Sequence, residues 1–373
     1  MGLFGNFFSS SSEPPIEKIE TYEDFWKWFS SREREFHKVV REQGDFERDF
    51  FDHLNPRLDQ LHEGLYLLSG MMDEHTAELI ITPDGVLKNI VFAEEIVAAA
   101  PSIDGWKFTA LKPASGEAFD LAMGDFVIES NSLFFVSTNH WERPDEIDIV
   151  IVHESVSEEN RDAFSHAIDL FLDNYLGELH FITEIDNLEI AGTNETTEEL
   201  RPLSELKDYL QDRQRRFREK YYGYRENTEE DPHTLFEWES DDGMPIIAVM
   251  NTTLLTWDSK PSHPWIAIIE FEFQGGENGL TNEETFDRLS LIEDEIMDEM
   301  PDTDGYLNVG RQTGNSIRTV FFACKDFRLP SKIFHLLQRR FIKEFKIDFA
   351  IYKDKYWQTF DRFLPVENDE HVN

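Results

Sequence analysis

Apolar residues first recur at helical spacing in residues 22–43, YEDFWKWFSSREREFHKVVREQ, where Phe25, Trp28 and Phe29 share a face with Phe36, Val39 and Val40. DFERDFFDHLNPRLDQLH at 45–62 continues the pattern, so the chain is predicted to open on two amphipathic helices. Short runs rich in β-branched and aromatic residues follow: AELIIT, WKFTAL, SLFFVS, EIDIVIV and LHFITEI. These predict strands, with helices near 92–100 and 157–176 between them. Such irregular alternation predicts an α+β domain ending near Ala191, before the polar, turn-like GTNETTEE.

Residues 199–226 predict a charged helix. Its DRQRRFREKYYGYR is the one basic, aromatic-interleaved stretch, expected to pair with acidic surface of the same chain. From Met244 the order is more regular. A strand or hairpin, MPIIAVMNTTLLTW, precedes WIAIIEFEF (strand), NEETFDRLSLIEDEIMDEM (helix), GYLNVGRQT and SIRTVFFACKD (strands), KIFHLLQRRFIKEF (helix) and KIDFAIYKD (strand). This β-α-β-β-α-β order predicts a ferredoxin-like sandwich. The expected organisation is a flexible tail at 1–20, an N-terminal α+β domain at 21–195, a charged helical linker at 196–232 and a C-terminal ferredoxin-like domain at 233–373.

The glycines of VGRQTG join two strands, whereas a phosphate loop runs from a strand into a helix, so the segment reads as a hairpin with its tight turn at Gly314-Asn315. Alternation predicts Leu307, Val309, Arg311 and Thr313 on one face. On the preceding helix Phe286, Leu289, Ile292, Ile296 and Met300 form the expected buried stripe, and Glu293 lies among them. A carboxylate and a guanidinium thus each interrupt a core-facing row, which predicts a partly buried Glu293–Arg311 ion pair. PSIDGW at 101–106 and PDTDGY at 301–306 share a Pro-x-x-Asp-Gly-aromatic pattern. At that offset Glu293 matches Ala93 and Arg311 matches Leu111, so the N-terminal domain is expected to be a related α+β unit lacking the pair.

Composition narrows the function. The 373 residues carry a formal charge of −41, which repels phosphate backbones and acidic headgroups and favours basic proteins as partners. Neither direct nucleic-acid binding nor membrane association is expected. The single cysteine, Cys324, fits a reducing cytoplasm and reads as a small core residue. No H-E-x-x-H or G-x-S-x-G motif occurs. His62 and His153, each followed by Glu, are expected at the surface. No catalytic residue, metal site or cofactor is assigned.

The apolar strand WIAIIEFEF, NGLTNEE, the IED of Ile292 to Asp294, the VGRQTG hairpin, FFACKD and the D-x-x-W of Asp354 to Trp357 together resemble the bacterial domain of unknown function 695 family, over about residues 244–365. The resemblance implies a bacterial cytoplasmic protein without an assigned reaction. Large apolar residues on both faces of WIAIIEFEF predict that something covers the second sheet face, either the N-terminal domain, the linker helix or a partner. The expected function is an acidic, non-enzymatic interaction or regulatory module docking a basic partner, with homodimerisation left open. The alternative is a hydrolase-type enzyme with an inter-domain pocket near Arg311. Candidate binding residues are Arg311, Glu293, Trp357, Asp354 and Lys112.

Overall fold

The computed structural model describes residues 18–115, 119–123, 126–224 and 226–364. The tail expected at 1–20 falls almost wholly outside these residues. The chain is α+β and divides into two compact units. One is the described part of Met1–Asp84 with Phe92–Ala110; the other is Gly85–Val91 with the described part of Leu111–Asn373. The division therefore falls at residues 84–111, and residues 111–195, expected in the N-terminal domain, cluster with the C-terminal half.

In the first unit Thr21 and Asp24 form a reciprocal capping box that starts α1 (Tyr22–Glu42). A single π-turn, Glu47–Phe51, leads into α2 (Asp52–Leu61). The apolar spacing does what it predicts: Phe25, Trp28, Phe29 and Phe36 are buried, and the Phe29 ring meets Trp106 and Phe108 edge-on. The sheet has three strands in the order β1 (Tyr66–Met71), β2 (Ala77–Thr82), β3 (Trp106–Ala110). The helix α3 (Ile90–Ala98) lies between β2 and β3, which pair in parallel. His62 is buried rather than exposed, because its ring stacks on Phe92 at 3.9 Å.

The proposed internal relationship is confined to the turn. Gly105 and Gly305 both adopt positive φ (79° and 99°), and a strand begins at the following aromatic residue in each case. The strands differ, however, since β3 runs parallel to β2 whereas the C-terminal counterpart is antiparallel to both neighbours.

The second unit begins with the hairpin β4 (Asp120–Met123) and β5 (Phe126–Glu129). A four-stranded sheet follows, built from β6 (Phe134–Thr138), β7 (Asp148–Val152), β8 (Asn187–Ala191) and β9 (Arg201–Pro202) in the order β8-β7-β6-β9. Its helices are α4 (Arg161–Leu176), α5 (Glu178–Glu184) and α6 (Leu206–Tyr221). LHFITEI, expected as a strand, lies largely in α5. The helix brings Phe181 against the core around Phe171 and Ile149, and the extended Ile185 that ends it is buried in the same core, so packing outweighs β propensity. His153 is also buried rather than exposed, with its Nε2 2.9 Å from Ser132 Oγ.

The remaining strands form a six-stranded sheet in the order β10-β11-β13-β14-β12-β15: β10 (His233–Glu239), β11 (Pro245–Asn251), β12 (Trp265–Glu272), β13 (Tyr306–Gly314), β14 (Ile317–Cys324) and β15 (Lys346–Lys353). The helices are α7 (Thr252–Leu255), capped by the Asn251 side chain, α8 (Glu283–Glu299), capped by Asn282, and α9 (Arg328–Phe341). NTTLL is thus a helical turn and not the second arm of a hairpin. Every adjacent pair in the sheet is antiparallel.

One face of this sheet presents Phe322 and Phe349 to Phe334 of α9. The opposite face buries Ile266, Leu307, Phe321 and Ala323 beneath Leu254, Leu255, Trp357, Phe360 and Phe363. The cover expected from an N-terminal domain, a linker helix or a partner is supplied instead by α7 and the short 3-10 segment Gln358–Phe363.

Candidate functional site

The hairpin β13–β14 carries the polar residues that break the core pattern. Alternation is interrupted between Asn308 and Gly310, where the register with β14 shifts by one residue. Gly310 has φ +146°, and a Cβ there would lie 2.4 Å from the Val249 carbonyl oxygen, so the bulge requires glycine. The bulge redirects the strand: Leu307 packs on the face opposite α8, whereas Arg311 and Thr313 turn toward it. The four residues therefore do not share a face. The two-residue turn is Asn315-Ser316, both at positive φ, and Gly314 precedes it, paired with Ile317.

Glu293 of α8 accepts a hydrogen bond from Arg311 Nη1 at 2.8 Å, which forms the expected pair. Its other oxygen accepts from Arg318 Nη1 at 3.0 Å, and Arg318 Nε donates to Thr313 Oγ1 at 2.9 Å. Arg318 is 2 % exposed and Glu293 5 % exposed. Burial pushes the Arg318 guanidinium down from its usual pKa while the Glu293 charge opposes that shift. Phe286, expected in the buried stripe, is instead half-exposed and lies beneath both guanidinium groups, 5.6 Å from Arg311 and 4.9 Å from Arg318. Strand alternation could have exposed the third member, because Arg318, Val320 and Phe322 occupy one face of β14.

The other candidates lie elsewhere. Trp357 is buried and donates from Nε1 to the His263 carbonyl at 2.9 Å. Asp354 accepts from the backbone N–H groups of Gln358 and Thr359 and from Thr359 Oγ1, so it caps the 3-10 segment that covers the sheet. The D-x-x-W pattern thus holds a structural turn. Lys112 pairs with Asp173 at 2.6 Å, among different elements from Arg311. Three clefts of this unit, of about 540, 320 and 150 Å³, are lined by residues other than these five. Arg311 faces Glu293, not one of these clefts.

On its outer side α8 presents a stripe at positions 284, 287, 291, 294 and 298. Glu284, Asp287, Asp294 and Asp298 are exposed, and Leu291 stands among them at 62 % exposure. None of the four carboxylates has an ion-pair partner among the described residues. The basic helix differs: Arg215 and Arg216 pair with Asp212, and Lys220 pairs with Asp145.

These features define an α+β protein whose polar hub is a buried Glu–Arg–Arg cluster. Residues 238–365, the C-terminal third, match the model of a family of unknown function (DUF695). No curated protein and no solved structure matches the chain.

Proposed function

We propose that the protein is a non-enzymatic interaction module that docks a basic partner on the outer face of α8. The carrying observation is the row of unpaired carboxylates around exposed Leu291, which offers an apolar anchor with like-signed neighbours. A partner presenting lysine or arginine around an apolar side chain complements it in charge and shape. The hub supports this role by clamping the inner side of α8 to β13 and β14, so the outer side meets a partner already ordered.

The same reading places the protein in the cytoplasm, a location supported by its unbridged, buried Cys324. It also treats β12-α8-β13-β14-α9-β15 as a ferredoxin-like unit, supported by the antiparallel strand order β13-β14-β12-β15.

The test is capture from a native lysate, followed by binding measurements on the purified partner. Wild-type protein should bind a basic partner, and binding should weaken as salt rises. Asp287→Lys combined with Asp294→Lys should abolish it. Equal binding by the charge-reversed protein, or binding indifferent to salt, rejects this face as the docking surface.

A further inference from the structure

The two edges of the six-stranded sheet differ. At β15 side chains occupy outward backbone groups: Gln338 donates to the Ile347 carbonyl at 2.8 Å, Lys88 to the Phe349 carbonyl at 3.3 Å, and the Phe349 N–H donates to Asp348. Such contacts blunt an edge against further pairing. The β10 edge has no equivalent. The Thr252 N–H donates to the Pro232 carbonyl and the Ser240 N–H to that of Met244, so the even-numbered residues of β10 bond to β11. Pro245, which has no N–H, sits opposite Glu239, as a non-bonded position allows. The N–H and C=O groups of His233, Leu235, Glu237 and Glu239 therefore point off the sheet, and among the described residues none bonds to them. Leu235 stands there at 57 % exposure.

We propose that β10 pairs with β10 of a second copy of this chain, antiparallel about a two-fold axis at Phe236. The strand is self-complementary in that register. His233 meets Glu239 of the second copy, Thr234 meets Trp238, Leu235 meets Glu237 and Phe236 meets itself, so no like charges are opposed. Sliding one strand by two residues opposes either Glu237 to itself or Glu239 to Asp231. Phe236 and Trp238, half-buried against Phe363, gain cover from the added strand.

The seven-residue strand makes a small interface on a chain of formal charge −41. Association is therefore opposed by long-range repulsion and held by backbone hydrogen bonds and apolar contact. The site uses different residues from the α8 docking face and does not depend on it.

The test is sedimentation velocity on the full chain from about 1 to 300 µM. A monomer–dimer equilibrium should appear and tighten as salt rises, opposite to docking on α8, because screening relieves the repulsion between acidic copies. Amide hydrogen exchange at Leu235 and Glu237 should slow with protein concentration, while Phe236 and Trp238, already bonded to β11, should show little change. Glu237→Pro removes only an outward N–H. The melting temperature of the dilute protein should change little, while the dimer weakens at least about tenfold, the worth of two hydrogen bonds lost by symmetry. His233→Glu, at an exposed position, should also weaken the dimer, and His233→Glu/Glu239→Lys should restore it. Should Glu237→Pro fail to fold, His233→Glu decides alone. A monomer at every concentration overturns the proposal, as does a dimer in which Leu235 and Glu237 still exchange freely. So does a dimer that loosens with salt, unchanged dimerisation in folded Glu237→Pro or in His233→Glu, or failure of the charge swap to restore pairing.

Discussion

Removing Glu293 and Arg311 together separates two accounts of the hub. If they were an isolated pair, Glu293→Leu/Arg311→Met would replace one ion pair with apolar groups and be tolerated. The structure adds Arg318, 2 % exposed, whose only other described side-chain hydrogen-bond partner is Thr313. The double substitution strands that buried guanidinium, at a cost of about 3–5 kcal/mol. Adding Arg318→Met removes the stranded charge and should return most of the loss. Arg311→Met alone should cost about 1 kcal/mol, because Arg311 is one-third exposed and water can replace it beside Glu293. Hydrogen exchange over residues 306–324 reads this locally, without assuming that both units unfold together. Exchange should accelerate by between about one hundred and several thousand fold in the double variant and recover in the triple variant. A double variant as protected as wild type, or a triple variant no better than the double, would refute the cluster's energetic unity.

Gly310→Ala should destabilise the second unit by at least about 1–3 kcal/mol, since positive φ and the Val249 carbonyl both oppose a side chain; urea denaturation measures it. Asp354→Ala should cost about 1 kcal/mol as a lost cap. It should also increase binding of a hydrophobic dye as Trp357 and Phe360 loosen from the sheet; unchanged dye binding counts against the capping role. For Lys353, whose folded pKa of about 8 lies below the ordinary 10.5, the unfolded chain holds more protons between these values. Stability should therefore rise as pH increases through that window, a slope that Lys353→Met should remove in pH-dependent unfolding. Leu291→Ala should leave the fold intact and weaken partner binding, measured against the same purified partner.

The chemistry at Glu293 and Arg311 was legible because each breaks an apolar row with a fixed period. Arg318 was harder to read because it stands near the start of its strand, where a charged residue ordinarily marks the end of a hairpin. Gly310 carried the missing information: a glycine within a strand signals a bulge, and a one-residue slip exchanges the faces. The α+β class followed from the mixture of periods. The division at 84–111 did not, since Gly85–Val91 joins the second unit through contacts such as Lys88 Nζ to the Phe349 carbonyl, 261 residues away. The cleft of about 320 Å³ also escaped sequence reading, because its lining residues Arg218, Lys325 and Lys353 come from separate segments brought together only by folding. LHFITEI shows the limit of local propensity, which cannot weigh the core that Phe181 reaches from the helix and Ile185 from its extended end.

The position of β15 has a consequence for synthesis. Its neighbour β12 is made some eighty residues earlier, and the 3-10 segment that completes the cover of the opposite sheet face, begun by α7, comes after both. While the ribosome is still adding residues 325–345, β12 has one edge without its mate, and Ile266 is covered only by the α7 part of its lid. Native pairing with β14 protects one edge of β12 as soon as that strand emerges, whereas the other edge and part of the opposite face stay open until translation passes Phe363, an interval in which the half-built sheet is prone to pair with other chains.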